Sequence, residues 1–186
     1  MSQIFRSLPN NQYEAAINAN APSASNPFLT ATDLQVSAYA SYYTNPSGPN
    51  LISPAATPTK MFFNILDFEQ GFTLDTGTFN QFEVTDSGIY TLQFSAQVEK
   101  GGGTADVLYI WPEINGNPVP NSNSSITLAN NGHRTIAAWN WFLNISAGDI
   151  VAVMWTSELG SVELINTVPL IGPAIPAVII NIQKVS

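Results

Sequence analysis

Between Phe82 and Val98 the chain reads F-E-V-T-D-S-G-I-Y-T-L-Q-F-S-A-Q-V, a turn followed by a strictly alternating run. Tyr90, Leu92, Phe94, Ala96 and Val98 fall on one parity, and Thr91, Gln93, Ser95 and Gln97 on the other. A period of two marks a half-buried β-strand, because successive side chains leave opposite faces of the pleat. Gly88 supplies the tight turn ahead of it. Short apolar runs bounded by turn residues recur from Met61 onward. They predict strands near 61–68, 71–75, 79–85, 89–98, 106–114, 135–143, 150–156, 162–166 and 176–184. Asn115-Gly116 suits a two-residue hairpin, since both residues tolerate positive φ. Pro118 and Pro120 keep the returning segment out of a sheet interior. Gly101-Gly102-Gly103 reads as a flexible hairpin tip, and the polar stretch from Asn121 to Gly132 as an exposed loop.

Two of these strands are apolar on both parities. Ile136, Ala138 and Phe142 alternate with Ala137, Trp139, Trp141 and Leu143, and Ile150, Ala152 and Met154 alternate with Val151, Val153 and Trp155. In a two-layer antiparallel sandwich one face of each strand meets water, so a two-sided apolar strand needs a second cover. A neighbouring subunit supplies one, and an N-terminal arm folded back over the sheet is the alternative.

Phe82, Gly88, Tyr90, Leu92 and Phe94 stand at the spacing that marks the trimeric jelly rolls typified by the complement component and tumour necrosis factor. The stretch Asn144 to Val151, with its Gly148-Asp149 turn before an apolar strand, resembles a second element of that family. Asn115-Gly116 and the apolar run Ala177 to Ile182 resemble two more. The match spans roughly residues 61–186 and departs from the pattern at Leu92, where an aromatic is usual. The resemblance implies an all-β fold, a two-sheet antiparallel jelly-roll sandwich, and a homotrimer. It also implies that the outer face of the sheet carrying Tyr90 and Phe94 packs around a threefold axis. Thr91, Gln93 and Ser95 would then look toward the axis, and Trp139, Trp141 and Trp155 on the two-sided strands are assigned to the same interface.

Charge narrows the list of partners. Charged residues are only 10% of the chain and the net charge is −8, with Arg6, Lys60, Lys100, Arg134 and Lys184 scattered as the cations. Phosphate binding needs clustered cations, so nucleic acid is not an expected partner. A surface so poor in charge favours oligomerisation or docking onto a larger body. No apolar run reaches membrane-spanning length, and no secretion signal is recognisable at the N-terminus, so neither membrane insertion nor export is expected.

Residues 1–60 read as an extended arm ahead of a head domain at 61–186. Prolines at 9, 22, 27, 46, 49, 54 and 58 interrupt both helix and central strand. Gln12 to Asn20 has room for a turn or two of helix, and Val36 to Tyr43 for a short strand. Ala21-Pro22-Ser23-Ala24-Ser25-Asn26-Pro27-Phe28-Leu29-Thr30-Ala31-Thr32-Asp33-Leu34 resembles a segment near the start of many bacteriophage virion proteins, head-decoration proteins and fibres among them. Asn26 and Pro27 enforce an extended backbone, and Phe28 and Leu29 offer an apolar anchor to a groove on a capsid protein.

Candidate chemistry is sparse. His133 is the single histidine and sits in a polar loop, there is no cysteine, and no G-x-S-x-G, G-x-G-x-x-G or phosphate-loop pattern occurs. Asp67 with Glu69 and Glu83 with Asp86 are the nearest carboxylate pairs, and Asp67, Asp75 and Asp86 are the oxygen ligands a calcium ion would find. None has the spacing of a known loop, so no metal, cofactor or catalytic residue is expected. The reading is a non-enzymatic virion protein of a tailed bacteriophage, assembled in the host cytoplasm. It is a trimeric capsid decoration (cement) protein or head fibre bound to the major capsid protein or another virion protein. The alternative is a receptor- or carbohydrate-binding fibre tip that touches a host surface glycan.

Overall fold

The computed structural model describes residues 38–185. The described strands are β1 (Tyr39–Tyr43), β2 (Leu51–Ile52), β3 (Thr59–Lys60), β4 (Ile65–Gln70), β5 (Phe72–Leu74), β6 (Phe82–Val84) and β7 (Gly88–Lys100). They continue with β8 (Asp106–Ile114), β9 (Asn117–Pro118), β10 (Ser124–Leu128), β11 (Arg134–Ile145), β12 (Ile150–Ser157), β13 (Val162–Leu164) and β14 (Val178–Lys184). They form two antiparallel sheets. In the first, β11, β7, β14, β1 and β4 lie side by side; β13 continues along β7 beyond the end of β14, and β2 pairs with β13. In the second the order is β10, β8, β12, β6 and β5, with β9 beside β8 and β3 beside β12. The chain is therefore the expected all-β, two-sheet sandwich.

The alternation in β7 sets the core. Tyr90, Leu92, Phe94, Ala96 and Val98 are buried between the sheets, facing Leu108 and Ile110 of β8 and Val151, Val153 and Trp155 of β12. At the other end Tyr42 stacks on Phe63 and Phe82, with ring centroids 5.6 and 5.5 Å apart. The Asn115-Gly116 hairpin joins β8 to β9 with φ of 52° and 77°, the left-handed pair that such a turn requires.

Four expectations change. The arm was placed at 1–60, but the sandwich begins near residue 38: β1 lies in the sheet interior, hydrogen-bonded to β14 on one side and β4 on the other. The prolines at 46, 49, 54 and 58 occupy the connections around the two-residue strands β2 and β3. Asn26, Pro27, Phe28 and Leu29, and the Gln12 to Asn20 segment, lie outside the described residues. Gly101-Gly102-Gly103 is not a hairpin tip, because β7 and β8 belong to different sheets and the glycines carry the crossover between them. The Asn121 to Gly132 stretch contains β10, which pairs with β8 and buries Leu128. The strand expected from residue 61 starts at Ile65. Met61 and Phe63 enter the core from irregular chain, held by backbone bonds to Val153 and Phe79, each 2.7 Å.

The glycine crossover is fastened by a buried polar network. The Lys100 side chain is wholly buried and donates to the Gly102 carbonyl and, at 2.6 Å, to Ser161 Oγ. Ser161 Oγ donates in turn to Asp106 Oδ2 at 2.7 Å, and the Leu159 and Ser161 amides each reach the same carboxylate at 3.0 Å. Burial opposes the ionised form of Asp106, but the hydrogen bonds from Ser161 and the Leu159 amide outweigh it and hold the pKa at about 2, below its ordinary 3.8. A folded-state pKa lowered in this way gives stability that is complete above about pH 5 and is lost progressively as the pH falls through 3.8 to about 2 and below. The interval from 3.8 to about 2 is worth about 2 kcal/mol. Asp106→Asn is expected to lose about that much at pH 7 and to flatten the acid limb of the stability profile, read from urea midpoints at pH 7, 4 and 2.5. A variant whose midpoint still drops as steeply as the wild type between pH 4 and 2.5 would show that other carboxylates carry the acid response.

Candidate interaction surface

With Tyr90, Leu92 and Phe94 pointing inward, the other parity of β7 makes an outward face. Registers with the neighbouring strands extend it into rows. Ala138, Ser95, Ile179, Tyr43 and Ile65 form one; Asn140, Gln93, Asn181, Ser41 and Phe68 form the next; Phe142, Thr91, Gln183, Tyr39 and Gln70 form a third. The middle row is largely amide, and apolar or aromatic side chains stand around it. Phe142 is 71% exposed and Ile136 59% exposed, with Phe68 and Ile89 also open to solvent. Tyr39 and Phe68 meet edge to face at 5.8 Å. Together with Thr91, Gln93, Asn181 and Gln183 they line a groove of about 260 Å³ that carries no charged side chain.

The two strands that are apolar on both sides resolve differently. In β12 the second parity is already covered: Ala152 and Met154 are buried, with Trp111 and Lys60 in register on either side of Met154. In β11 the second parity, Ile136, Ala138 and Phe142, is left exposed. Exposed aliphatic and aromatic side chains grouped on one sheet face mark a contact surface. The β11 side of the first sheet thus carries the candidate contact surface.

Thr91, Gln93 and Ser95 do lie on this outward face. Thr91 is only 7% exposed and donates to Asn140 Oδ1 at 2.5 Å, so its polar atom is engaged within the subunit. Trp139, Trp141 and Trp155, assigned with them to the interface, lie on the inward side instead. Trp155 is buried in the core, and Trp141 and Trp139 point inward and stack on Phe94 with centroids 4.9 and 5.6 Å away. Their apolar area is buried by their own sandwich. The parity of β11 carried the signal that separates the two faces: Asn140 and Asn144 share a parity with Ile136 and Phe142, and polar residues belong on the side that is wet in the lone subunit.

The other candidate residues stay dispersed. His133 is exposed, and its carbonyl accepts from the Lys100 amide at 2.9 Å. The Asp75 carboxylate organises its own turn, accepting from Thr78 Oγ1 at 2.7 Å, the Gly77 amide at 2.9 Å and Gln81 Nε2 at 2.9 Å; the Thr78 bond foremost lowers its pKa. Glu69 accepts from the Tyr42 hydroxyl at 2.8 Å, and burial first, then this carboxylate, pushes the phenol well above its ordinary value. Among the described residues no three His, Asp or Glu side chains converge as metal ligands.

Solved structures share this architecture. The globular domain of zebrafish complement 1qA superposes with a TM-score of 0.51 at 16% identity, covering 81% of this chain and 98% of that one. The chain has a jelly-roll fold similar to theirs. Murine APRIL at pH 8.0 matches it with a TM-score of 0.50 at 11% identity, over 80% of this chain and 98% of that one. No family model matches the sequence, and no curated protein matches it. In this jelly roll Phe82 lies on β6, Gly88 opens β7, and Tyr90 and Phe94 lie on the inner face of β7. The β11, β7, β14, β1 and β4 face is left open on the other side.

Proposed function

We propose that this protein is a homotrimeric, non-enzymatic structural component of a tailed-bacteriophage virion, a capsid decoration protein or short head fibre assembled in the host cytoplasm. The observation that carries the reading is the open outward face of the first sheet, with Phe142 and Ile136 exposed around an amide row. Packing three copies around an axis buries this apolar surface, and the amides fix the register by requiring partners. An obligate assembly of this kind buries more than ~2,000 Å² in total. The virion setting is supported by the charge-poor composition and by the Ala21 to Leu34 segment, in which Asn26, Pro27, Phe28 and Leu29 are the proposed anchor to the major capsid protein.

One observation favours a receptor- or glycan-binding fibre tip as the second reading. Backbone bonds from Gly132 to the Lys100 carbonyl, 2.8 Å, and from Lys100 to the His133 carbonyl, 2.9 Å, bring the Gly101 to Gly103 crossover and the Asn130 to His133 loop together at one end of the sandwich. Paired exposed loops at a domain end suit contact with a large ligand.

Sedimentation with empty heads tests the proposal. The full chain is expected to pellet with heads, whereas a variant lacking residues 1–34 remains a soluble trimer in the supernatant. Full occupancy by the truncated trimer would move the attachment surface to the jelly roll and remove the arm from the account. Copy number per particle then separates the readings, hundreds for a decoration protein and a handful of trimers for a tip.

A further inference from the structure

From Leu164 to Gln183 the chain carries no charged residue, and between β13 and β14 this stretch leaves the sheet as a loop. Its tip is aliphatic and open. Val168 is 73%, Leu170 101% and Ile171 88% exposed, so these side chains pack little or not at all against their own chain. The base, by contrast, is tightly fixed. Thr167 and Ile175 exchange backbone bonds of 3.0 and 2.8 Å. Asn166 Oδ1 accepts from the Ala177 amide at 2.8 Å, while its Nδ2 donates to the Pro49 carbonyl at 2.9 Å. Pro169, Pro173 and Pro176 stiffen the span between. A solvated loop has no need of three aliphatic side chains held in place. A preformed contact element does, because the ordering cost of binding has been met in advance.

A groove of about 250 Å³ lies beside the loop, lined by its base residues Ile165, Thr167 and Ile175 on one side and by Gln97 and Ile136 of the outward face on the other. That is below the ~300–1,000 Å³ of small-molecule sites and suits one or two inserted side chains. The Arg134 guanidinium at its rim is neutralised by Glu99, 2.7 Å away across the β7 and β11 pair. The base of the loop and the groove sit at one level along β7, where the Ile165 amide bonds to the Gln97 carbonyl and the Gln97 amide to the Ala177 carbonyl. Rotation about an axis that runs along the strands keeps every residue at its own height, so two different patches meet on neighbouring copies only when they share a level.

We propose that the Val168 to Ile171 tip of each copy inserts into the Gln97 and Ile136 groove of the next, so that three head-to-tail contacts close the ring. The inference rests on the homotrimer reading and adds to it the element that makes the contact directional. The chain has no cysteine, so a single introduced thiol is a clean reporter. Leu170→Cys is expected to react with a maleimide at least tenfold more slowly in the intact trimer than the exposed-strand control Ser125→Cys, and equally fast once both are unfolded in urea. Equal rates in a trimer of verified mass overturn the inference. In a second arm, Leu170→Asp with Ile171→Asp is expected to raise the trimer dissociation concentration more than tenfold with an unchanged far-ultraviolet spectrum; an unchanged dissociation concentration counts equally against it. A wild-type mass near the 20.0 kDa of one chain would instead remove the trimer itself, a failure the thiol rates do not mimic.

Discussion

Phe142→Asp is expected to convert a species of about 60 kDa, three chains of 20.0 kDa, into one near 20 kDa while leaving the subunit folded. Phe142 is 71% exposed in the lone subunit, so a carboxylate there costs the isolated fold almost nothing. In an assembly that covers the face, the same carboxylate would be buried without a cation, since its neighbours across β7 and β14 are Thr91 and Gln183. An unpaired buried charge costs ~3–5 kcal/mol, and a ring repeats the cost at every interface. Each 1.4 kcal/mol is about tenfold in affinity, so micromolar samples should fall apart completely. Native mass spectrometry with circular dichroism decides it. A variant that stays near 60 kDa would show that the face is not the interface.

Phe94→Ala is expected to remove a large share of the stability of the folded chain. The ring is buried, lies nearly parallel to Trp141 at 13° and 4.9 Å, and stacks on Trp139 at 26° and 5.6 Å. Truncation deletes the middle of a three-ring stack and leaves a cavity between β7 and β11, costing ~3–5 kcal/mol against a usual total of ~5–15 kcal/mol. Urea denaturation should show a midpoint reduced by more than a third. Phe68→Ala, on the exposed β4 strand, should shift it little. If the two variants lose similar amounts, the aromatic stack is not what joins these strands.

The two residues, Phe94 and Phe142, also show what could be read in advance. Phe94 lies in a run where one parity is wholly apolar and the other polar, so its inward direction follows from the period alone. Phe142 lies in a strand where both parities are apolar, and there the period does not choose a face. The tryptophans are assigned to the interface by sequence because their strands are apolar on both parities, yet Trp139 and Trp141 fill the space over Phe94. The smaller clue, Asn140 and Asn144 on the Phe142 parity, had the sign of the face in it. The boundary at residue 60 failed for a different reason. The short strand expected at Val36 to Tyr43 does appear as β1, but nothing local says that it pairs with β14 and β4 instead of belonging to an arm; β2 and β3 are only two residues long, too short to show a period among the prolines that flank them, and their strand state is imposed by pairing with β13 and β12. β10 was hidden likewise, with Ile126 and Leu128 the only large apolar side chains in a polar stretch.

β14 lies between β7 and β1, although it is the most C-terminal of the described strands and β1 the most N-terminal. Until residues 178–184 are added, that slot is vacant and the two strands that border it present unpaired edges. The growing chain therefore holds an unfinished sheet until β14 is made, with the edges and apolar surface that invite aggregation. Closure joins segments more than a hundred residues apart, and such long-range pairing is slow, on the millisecond-to-second scale of β-sandwiches. A chain cut before Val178 would keep every other described strand and still lack the one on which its first sheet closes.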